Sequence, residues 1–385
     1  MLTTLFFAAI LLLLWAYVGY PLAVALLGRR LLPRPAASSR PLGDSWLLIS
    51  AYNEETMIRR KLENALELDP CGRMHVVVIS DGSTDATDGI AAAFAARHAR
   101  FSLLRVEGRG GKNHALNEAL ERLAPGENDV IVFSDANALY QPEAIRHLRN
   151  ALRDGAACAV GQLRFVDGST GTARAEGLYW RYENFVKAAE GRVGRSLVAN
   201  GAIFAARAVD VPELPLGVGN DFWVPVVLLG AGKAVTYEPR AVALEAAPQH
   251  SSEEFQRKLR MANRSMGGTL RAWTRLDAGT RFQLVSHKVI RWLGLPLYAV
   301  AVLSAIGLAA GRGGFFGVAL VLLAPLALAV VGGLGRLLGK RLPVADLAVH
   351  FLLVHVAALL GVFEALLGKR RFTWKQARSA RRVAA

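Results

Sequence analysis

Four polar clusters follow directly on apolar runs, and their side chains are of the kinds that hold bases, phosphates and cations. The first is Ser50-Ala51-Tyr52-Asn53-Glu54-Glu55. Set at a strand end, the polar groups of Ala51 to Glu54 can grip a base and its ribose, although the same residues also suit the start of a helix. The second, Ser80-Asp81-Gly82-Ser83-Thr84-Asp85, follows Val76-Val77-Val78-Ile79. A buried strand there delivers Asp81 to a tight turn, where its carboxylate can accept the imide proton of a base; Asp85 suits an ordinary helix cap. The third, Gly108-Arg109-Gly110-Gly111-Lys112-Asn113, is a glycine-rich loop entering a helix with Lys112 at its start. A diphosphate could dock there, though the spacing is not that of a GxxxxGK[ST] loop. The fourth is Ser134-Asp135-Ala136-Asn137 after Val130–Phe133. A carboxylate at the tip of a buried strand is costly without a partner, and for Asp135 a divalent cation bridging a diphosphate is the natural one.

The elements that must position these clusters are legible around them. Short β-rich runs at Trp46–Ser50, His75–Ser80, Phe101–Val106 and Val130–Ser134 alternate with helical stretches at Thr56–Leu68, Asp85–Arg97, Lys112–Leu123 and Pro142–Leu152. Such alternation predicts an α/β domain over residues 45–250 with a mostly parallel central sheet covered on both faces. Ligands of such sheets bind at the carboxyl ends of the strands, where the clusters fall.

The flanks are of another kind. Hydrophobic residues make up 53% of the 385 and mean hydropathy is +0.29, more than an α/β core requires. Leu5 to Leu27 carries no charge and predicts a membrane anchor within residues 1–28; it is too long for a typical signal-peptide core and no basic segment precedes it. Arg29, Arg30, Arg34 and Arg40 follow, which by the positive-inside rule puts the α/β domain in the cytoplasm. Residues 251–291 contain the basic amphipathic stretch Ser252–Trp273 and a second one, Gly279–Arg291, both expected against headgroups. Trp292–Ala310, Phe315–Leu338 and Val344–Leu367 are three further apolar segments within 292–367, before a basic tail at 368–385. Three true spans would leave that tail outside, against the rule, so one segment should be interfacial or re-entrant. Val344–Leu367, with Asp346, His350, His355 and Glu364, is the expected irregular one.

Formal charge is +15, with the basic residues beside the apolar segments, which suits anionic lipid or phosphorylated substrates; there is no nucleic-acid-binding motif. Cys71 and Cys158 form no CxxC pair and are expected to be buried small hydrophobes.

In order and spacing, the four clusters resemble the family 2 glycosyltransferases of GT-A fold, over roughly Ser45 to Arg271. The resemblance implies a GT-A (nucleotide-diphospho-sugar transferase) domain with membrane helices at both ends, acting as an inverting hexosyltransferase. It implies nucleotide contacts, most often uridine, from Ala51, Tyr52, Asn53, Glu54 and Asp81, with Lys112, Ser134 and Asp135 beside them. Asp135 opens the family's Asp-x-Asp metal motif, and Asn137 stands where a second Asp is usual, so Mg²⁺ or Mn²⁺ is expected on Asp135 and Asn137. In Gly219-Asn220-Asp221-Phe222-Trp223, Asp221 matches the family's general base; the alternative is a helix cap. Gln256-Arg257-Lys258-Leu259-Arg260 stands in the place of the Gln-x-x-Arg-Trp motif of processive synthases without matching it, leaving either Arg257 or Arg260 as a diphosphate contact or the helix as a headgroup-binding face. Tyr179-Trp180 could form an acceptor platform or pack in the core. The expected donor is a UDP-sugar and the expected acceptor a lipid-linked sugar or growing polysaccharide, with membrane lipids and export subunits as further partners. A catalytically silent nucleotide-sugar-binding subunit and a transporter with a regulatory domain remain alternatives.

Overall fold

The computed structural model describes residues 1–32, 40–68, 72–166, 171–247, 250–311, 313–340 and 342–372. Arg34, Cys71, Arg341 and the tail beyond Phe372 lie outside these.

An eight-stranded sheet has the order β3-β2-β1-β4-β7-β6-β8-β5. Its strands are β1 Ser45–Ala51, β2 Met74–Asp81, β3 Phe101–Val106, β4 Val130–Asp135, β5 Leu139–Tyr140, β6 Cys158–Val166, β7 Ile203–Arg207 and β8 Val235–Ala246. The first four pair in parallel, as expected. The second half departs from the expectation: β7 runs antiparallel between β4 and β6, and β5 antiparallel to β8, making the sheet mixed. The signal was weak there because β5 has two residues and β7 five, too short for a clear periodicity.

Alternation along β1, β2 and β4 sends Leu47, Ile49, Val76, Val78, Val130 and Val132 to one face and Leu48, Val77, Ile79, Ile131 and Phe133 to the other. Each face is sealed by helices: Ile58–Leu66 and Ala144–Arg153 on the first, Lys112–Leu123 and Asn220–Gly230 on the second. Each such side chain contributes roughly 1.5–3 kcal/mol by burial. Register aligns Ala51 with Ser80 and Ser50 with Asp135, so the polar clusters emerge side by side at one edge.

Three helices are long and apolar enough to cross a membrane: Leu2–Leu31, Gly314–Leu337 and Pro343–Leu366. A fourth candidate is the pair Ala278–Trp292 and Gly294–Ala309, bent by 64°. The bend falls at Leu293, three residues before Pro296, whose ring excludes the carbonyl four residues back. A sharp bend therefore sits here, while the last segment, expected to be interfacial or re-entrant, is one unbroken helix. Pro343–Leu366 stays helical because its polar groups find partners: Asp346 with Arg336 (2.6 Å), Glu364 with Arg371 (2.7 Å) and His355 with Tyr17 (2.5 Å).

Candidate active site

The first two strand tips are stitched together by their own polar residues. Asn53 takes a left-handed conformation (φ 55°), which its short amide tolerates. Its Oδ1 accepts from the Thr84 amide at 2.8 Å, and the Glu54 amide donates to Thr87 Oγ1 at 2.7 Å. Tyr52 lies beneath the Arg109 guanidinium, 3.9 Å from the ring centre. Asp81 is buried and accepts the Gly110 and Gly111 amides at 3.0 Å. Burial raises its pKa, and those amides restrain the rise. Asp81 thus shapes the glycine-rich loop, which crosses so close that a Cβ on Gly82 (φ 68°) would stand 2.2 Å from the Gly108 carbonyl. The loop ends in Lys112, whose Nζ lies 2.5 Å from Asp135 Oδ1.

Lys112 and Asp135 open a cleft of about 330 Å³. Glu54, Asn137, Asp221, Arg257 and Arg260 also line it, as do Tyr179 and Trp180. Ala51, Tyr52, Asn53 and Asp81 stand at the neighbouring strand tips and do not line it. Ser134 does not face it either: it is fully buried and donates to the Asp135 carbonyl at 3.1 Å, supporting the strand end.

Asp221 enters from the first turn of Asn220–Gly230, but Gly219 is the cap residue and no side chain caps this helix, so the capping alternative falls away. A Cβ placed on Gly201 would lie 3.5 Å from Asp221 Oδ2 and 3.7 Å from Asp135 Oδ2. The two carboxylates therefore flank one small open space that only a glycine leaves clear. Burial raises the pKa of Asp221; Lys112 opposes this and Asp135 adds to it. In its ionised form such a carboxylate can take a proton from a hydroxyl placed beside it.

The two arginine candidates separate. Arg257 is held by Glu254, with Nε at 2.9 Å and Nη2 at 3.1 Å from its two oxygens. Arg260 has no hydrogen bond or ion pair to any described residue. Burial and the neighbouring Arg264 and Arg257 push its pKa down to about 10. Arg264 points its guanidinium at the carbonyls of Arg371 (2.8 Å) and Phe372 (2.7 Å).

Three cleft residues escaped the sequence reading. Glu245, near the end of β8, accepts from Asn137 Nδ2 at 2.6 Å; burial and Asp135 push its pKa up to about 7. Lys187 is buried on the Gly171–Gly191 helix, bonds Asn200, and is lowered by burial to about 8. Arg264 is the third. The signal for Glu245 was an acidic residue at a strand end, the same that marked Asp135, but β8 was not recognised as a strand.

Asp135, Asn137 and Glu245 offer an all-oxygen donor set, the chemistry of Mg²⁺ or Mn²⁺, and Asp135 Oδ2 stays open toward the Gly201 space. Among the described residues no group of three or more His, Cys, Asp or Glu forms a ready metal cage. The set therefore fits a cation that takes part of its coordination from a diphosphate.

Residues 46–209 match the model of the glycosyl transferase family 2. An N-acetylglucosaminyltransferase of Rhizobium leguminosarum bv. viciae is 25% identical over 293 residues, 71% of this chain and 68% of the relative. A beta-monoglucosyldiacylglycerol synthase of Synechocystis sp. is 28% identical over 216 residues, 51% of this chain and 44% of the relative. Among solved structures, the mannosyltransferase PcManGT from Pyrobaculum calidifontis, in complex with GDP-Man and Mn²⁺, superposes with a TM-score of 0.67 at 24% identity, covering 96% of this chain and 100% of that one. Residues 46–209 thus form a glycosyl transferase family 2 segment within a GT-A fold, and the cleft combines residues of that segment with Asp221, Glu245, Arg257 and Arg260 beyond it.

Proposed function

We propose that the protein is an inverting, metal-dependent glycosyltransferase that moves a sugar from a nucleotide-sugar donor to a lipid-linked acceptor at the cytoplasmic face of a membrane. The observation that carries the reading is the pair of carboxylates, Asp135 and Asp221, facing one open space beside Gly201. Asp221 takes the proton of the acceptor hydroxyl as its oxygen bonds to the anomeric carbon. The bond from that carbon to the diphosphate breaks on the opposite face, with its electron pair leaving on the diphosphate. Lys112 and Arg260 hold the leaving group in place. A divalent cation on Asp135 and Asn137 would neutralise charge there. Tyr179 and Trp180 give the acceptor sugar a face to stack on.

PcManGT's GDP-Man and Mn²⁺ favour a metal-carried donor, and the N-acetylglucosaminyltransferase relative makes UDP-N-acetylglucosamine a first candidate.

The packing of the last helix favours the cytoplasmic placement. Pro343–Leu366 runs along Ser251–Ala272: Arg336 and Asp346 lie by Ser251 at one end, Gly361 packs on Leu259, and Lys369 meets Asn263 at the other. A helix laid along the interface returns the tail to the side of the catalytic domain. Leu2–Leu31, Gly294–Ala309 and Gly314–Leu337 then serve as spans, and the basic clusters at Arg29–Arg30, Arg336–Arg341 and Lys369–Arg371 fall on one side, with Arg312 alone on the other.

The test is nucleotide release by the detergent-purified protein from a panel of UDP- and GDP-sugars with a membrane lipid extract, with and without chelator. Chelator-sensitive turnover lost in Asp221→Asn and Asp135→Ala supports the reading. Donor binding without turnover across the panel would leave a silent donor-binding subunit instead.

A further inference from the structure

The bend between Ala278–Trp292 and Gly294–Ala309 joins two different environments. On its near side, Lys288 and Trp292 line the catalytic cleft together with Glu183. Immediately beyond it, Gly294 and Leu295 line a second cavity of about 510 Å³, within the roughly 300–1,000 Å³ typical of ligand pockets. Leu13, Leu326 and Ala348 supply its other walls, from Leu2–Leu31, Gly314–Leu337 and Pro343–Leu366. Tyr298 turns its hydroxyl away to the Leu322 carbonyl, leaving its ring to the cavity. The polar pair at the bend is Tyr17 Oη with His355 Nε2, 2.5 Å apart, and Gly294 lets the chain pass them: a Cβ there would stand 3.0 Å from Tyr17 Oη.

Between cavity and cleft, Arg291 lies 5.6 Å from the Tyr17 ring and 5.2 Å from the Tyr182 ring. Arg291 and Lys288 both bond Glu183, so two cations share one carboxylate at the junction. Burial alone would raise the Glu183 pKa, but Arg291 and Lys288 hold it well below the usual carboxylate range. The junction therefore keeps a surplus of positive charge. Cleft-lining Lys288 and Trp292, the Arg291–Glu183 pair between them, and cavity-lining Gly294 and Leu295 thus follow one another along the bent pair of helices.

We propose that the cavity holds the hydrocarbon chain of the acceptor lipid, with its anionic phosphate linkage at the Lys288–Arg291 neck and its hydroxyl-bearing head in the cleft before Asp221. This rests on the transferase reading for the head, and on the cavity and neck alone for the chain. It assigns the acceptor to lipids anchored through a phosphate and places the entry route between the helices.

The experiment uses the full chain in phosphatidylcholine nanodiscs with two probes of equal chain length, a lipid phosphate and the matching lipid alcohol, each carrying a mid-chain diazirine. After irradiation, adducts are mapped by peptide mass spectrometry. The phosphate probe should label cavity residues several-fold more than the alcohol. Ala348→Phe, which fills the cavity, should cut that labelling about tenfold, while Leu337→Phe, on an 84% exposed position outside it, should not. Adducts confined to outward positions such as Val321, labelling unchanged by Ala348→Phe, or equal labelling by both probes would overturn the proposal. Nucleotide release from the donor panel with the membrane lipid extract, measured on the same protein in nanodiscs, separates the two readings. Its absence for every donor, with cavity labelling intact, removes the transferase and keeps the lipid site; its presence with no cavity labelling does the reverse.

Discussion

Replacing Arg260 and Arg257 in turn should give opposite phenotypes, although the two residues sit three positions apart on one helix. Arg260 has no hydrogen bond or ion pair to lose among the described residues. A charge-assisted hydrogen bond to the donor diphosphate is worth about 1.5–3 kcal/mol, so Arg260→Gln should lower kcat/KM roughly 10- to 150-fold, at about 1.4 kcal/mol per factor of ten. Stability should hold or rise slightly, because the change relieves a buried cation beside Arg264 and Arg257. Arg257→Gln instead strips two hydrogen bonds from Glu254, a fully buried carboxylate. Lys258 remains 3.3 Å away and limits the loss, to about 1–3 kcal/mol. That is a fall in Tm of several degrees with little change in kcat/KM of the folded fraction. Nucleotide-release kinetics beside thermal unfolding in the same detergent would check both. The assignment of the diphosphate contact fails if Arg260→Gln leaves kcat/KM intact, or if it unfolds the protein as Arg257→Gln should.

Asp221→Asn should lower kcat about 10²- to 10⁴-fold while donor binding by calorimetry stays within a few-fold. Asp221 acts deprotonated, and its pKa is raised above the ordinary aspartate value. The acid limb of the kcat profile should therefore lie above the ordinary aspartate range, and activity should fall as pH drops through it; a limb at the usual aspartate value would count against the base. Glu245→Ala should weaken Mn²⁺ binding about 10- to 100-fold in an electron paramagnetic resonance titration, because it leaves the Asn137 amide without its partner; unchanged affinity would detach Glu245 from the metal. Lys61 is fully buried, with its pKa lowered by burial from 10.5 to about 7. The unfolded chain binds the extra proton between those values, so stability should rise as pH climbs from about 7 to 10.5, and Lys61→Met should flatten that part of the profile. Gly361→Ala would set a Cβ 2.3 Å from the Leu259 carbonyl, costing about 1–3 kcal/mol, readable as a lower Tm.

What the sequence made legible was whatever depends on local order. β1, β2 and β4 are continuous apolar runs, and their tips carry the motifs, so Asp81, Asp135 and the glycine-rich loop could be placed on a parallel sheet before any coordinates. The reading faltered where position depends on contacts remote along the chain. Glu245 belongs to the cleft because β8 pairs with β6 and lays its end beside Asn137, 108 residues away. Arg257 and Arg260 look equivalent in sequence, and only the burial of Glu254 separates them. The last apolar segment was expected to be interfacial or re-entrant because Asp346, His350, His355 and Glu364 are costly in lipid. Asp346 and Glu364 pair with Arg336 and Arg371, 10 and 7 residues away, while Tyr17, the partner of His355, lies 338 residues off, out of reach of any window. Pro296 was the local signal that the reading passed over.

The electrostatics of the cleft follow from the same construction. Asp135, Asp221 and Glu245 converge from β4, the Asn220–Gly230 helix and β8, while Lys112, Lys187, Arg260 and Arg264 converge from three helices. Burial penalises both signs: it raises Asp221 and Glu245 and lowers Lys187, Arg260 and Arg264. Lys112 answers Asp135 directly, but Arg260 has no carboxylate of its own, and Asp221 feels Asp135 as a like charge. A ligand that brings two phosphates and a divalent cation meets both deficits together, supplying anions to Arg260 and a cation to Asp135. The donor and its metal thus complete a charge pattern that the protein leaves open. A cation held by Asp135 would offset the repulsion that Asp135 adds to Asp221. The burial that carries most of the shift belongs to the fold itself.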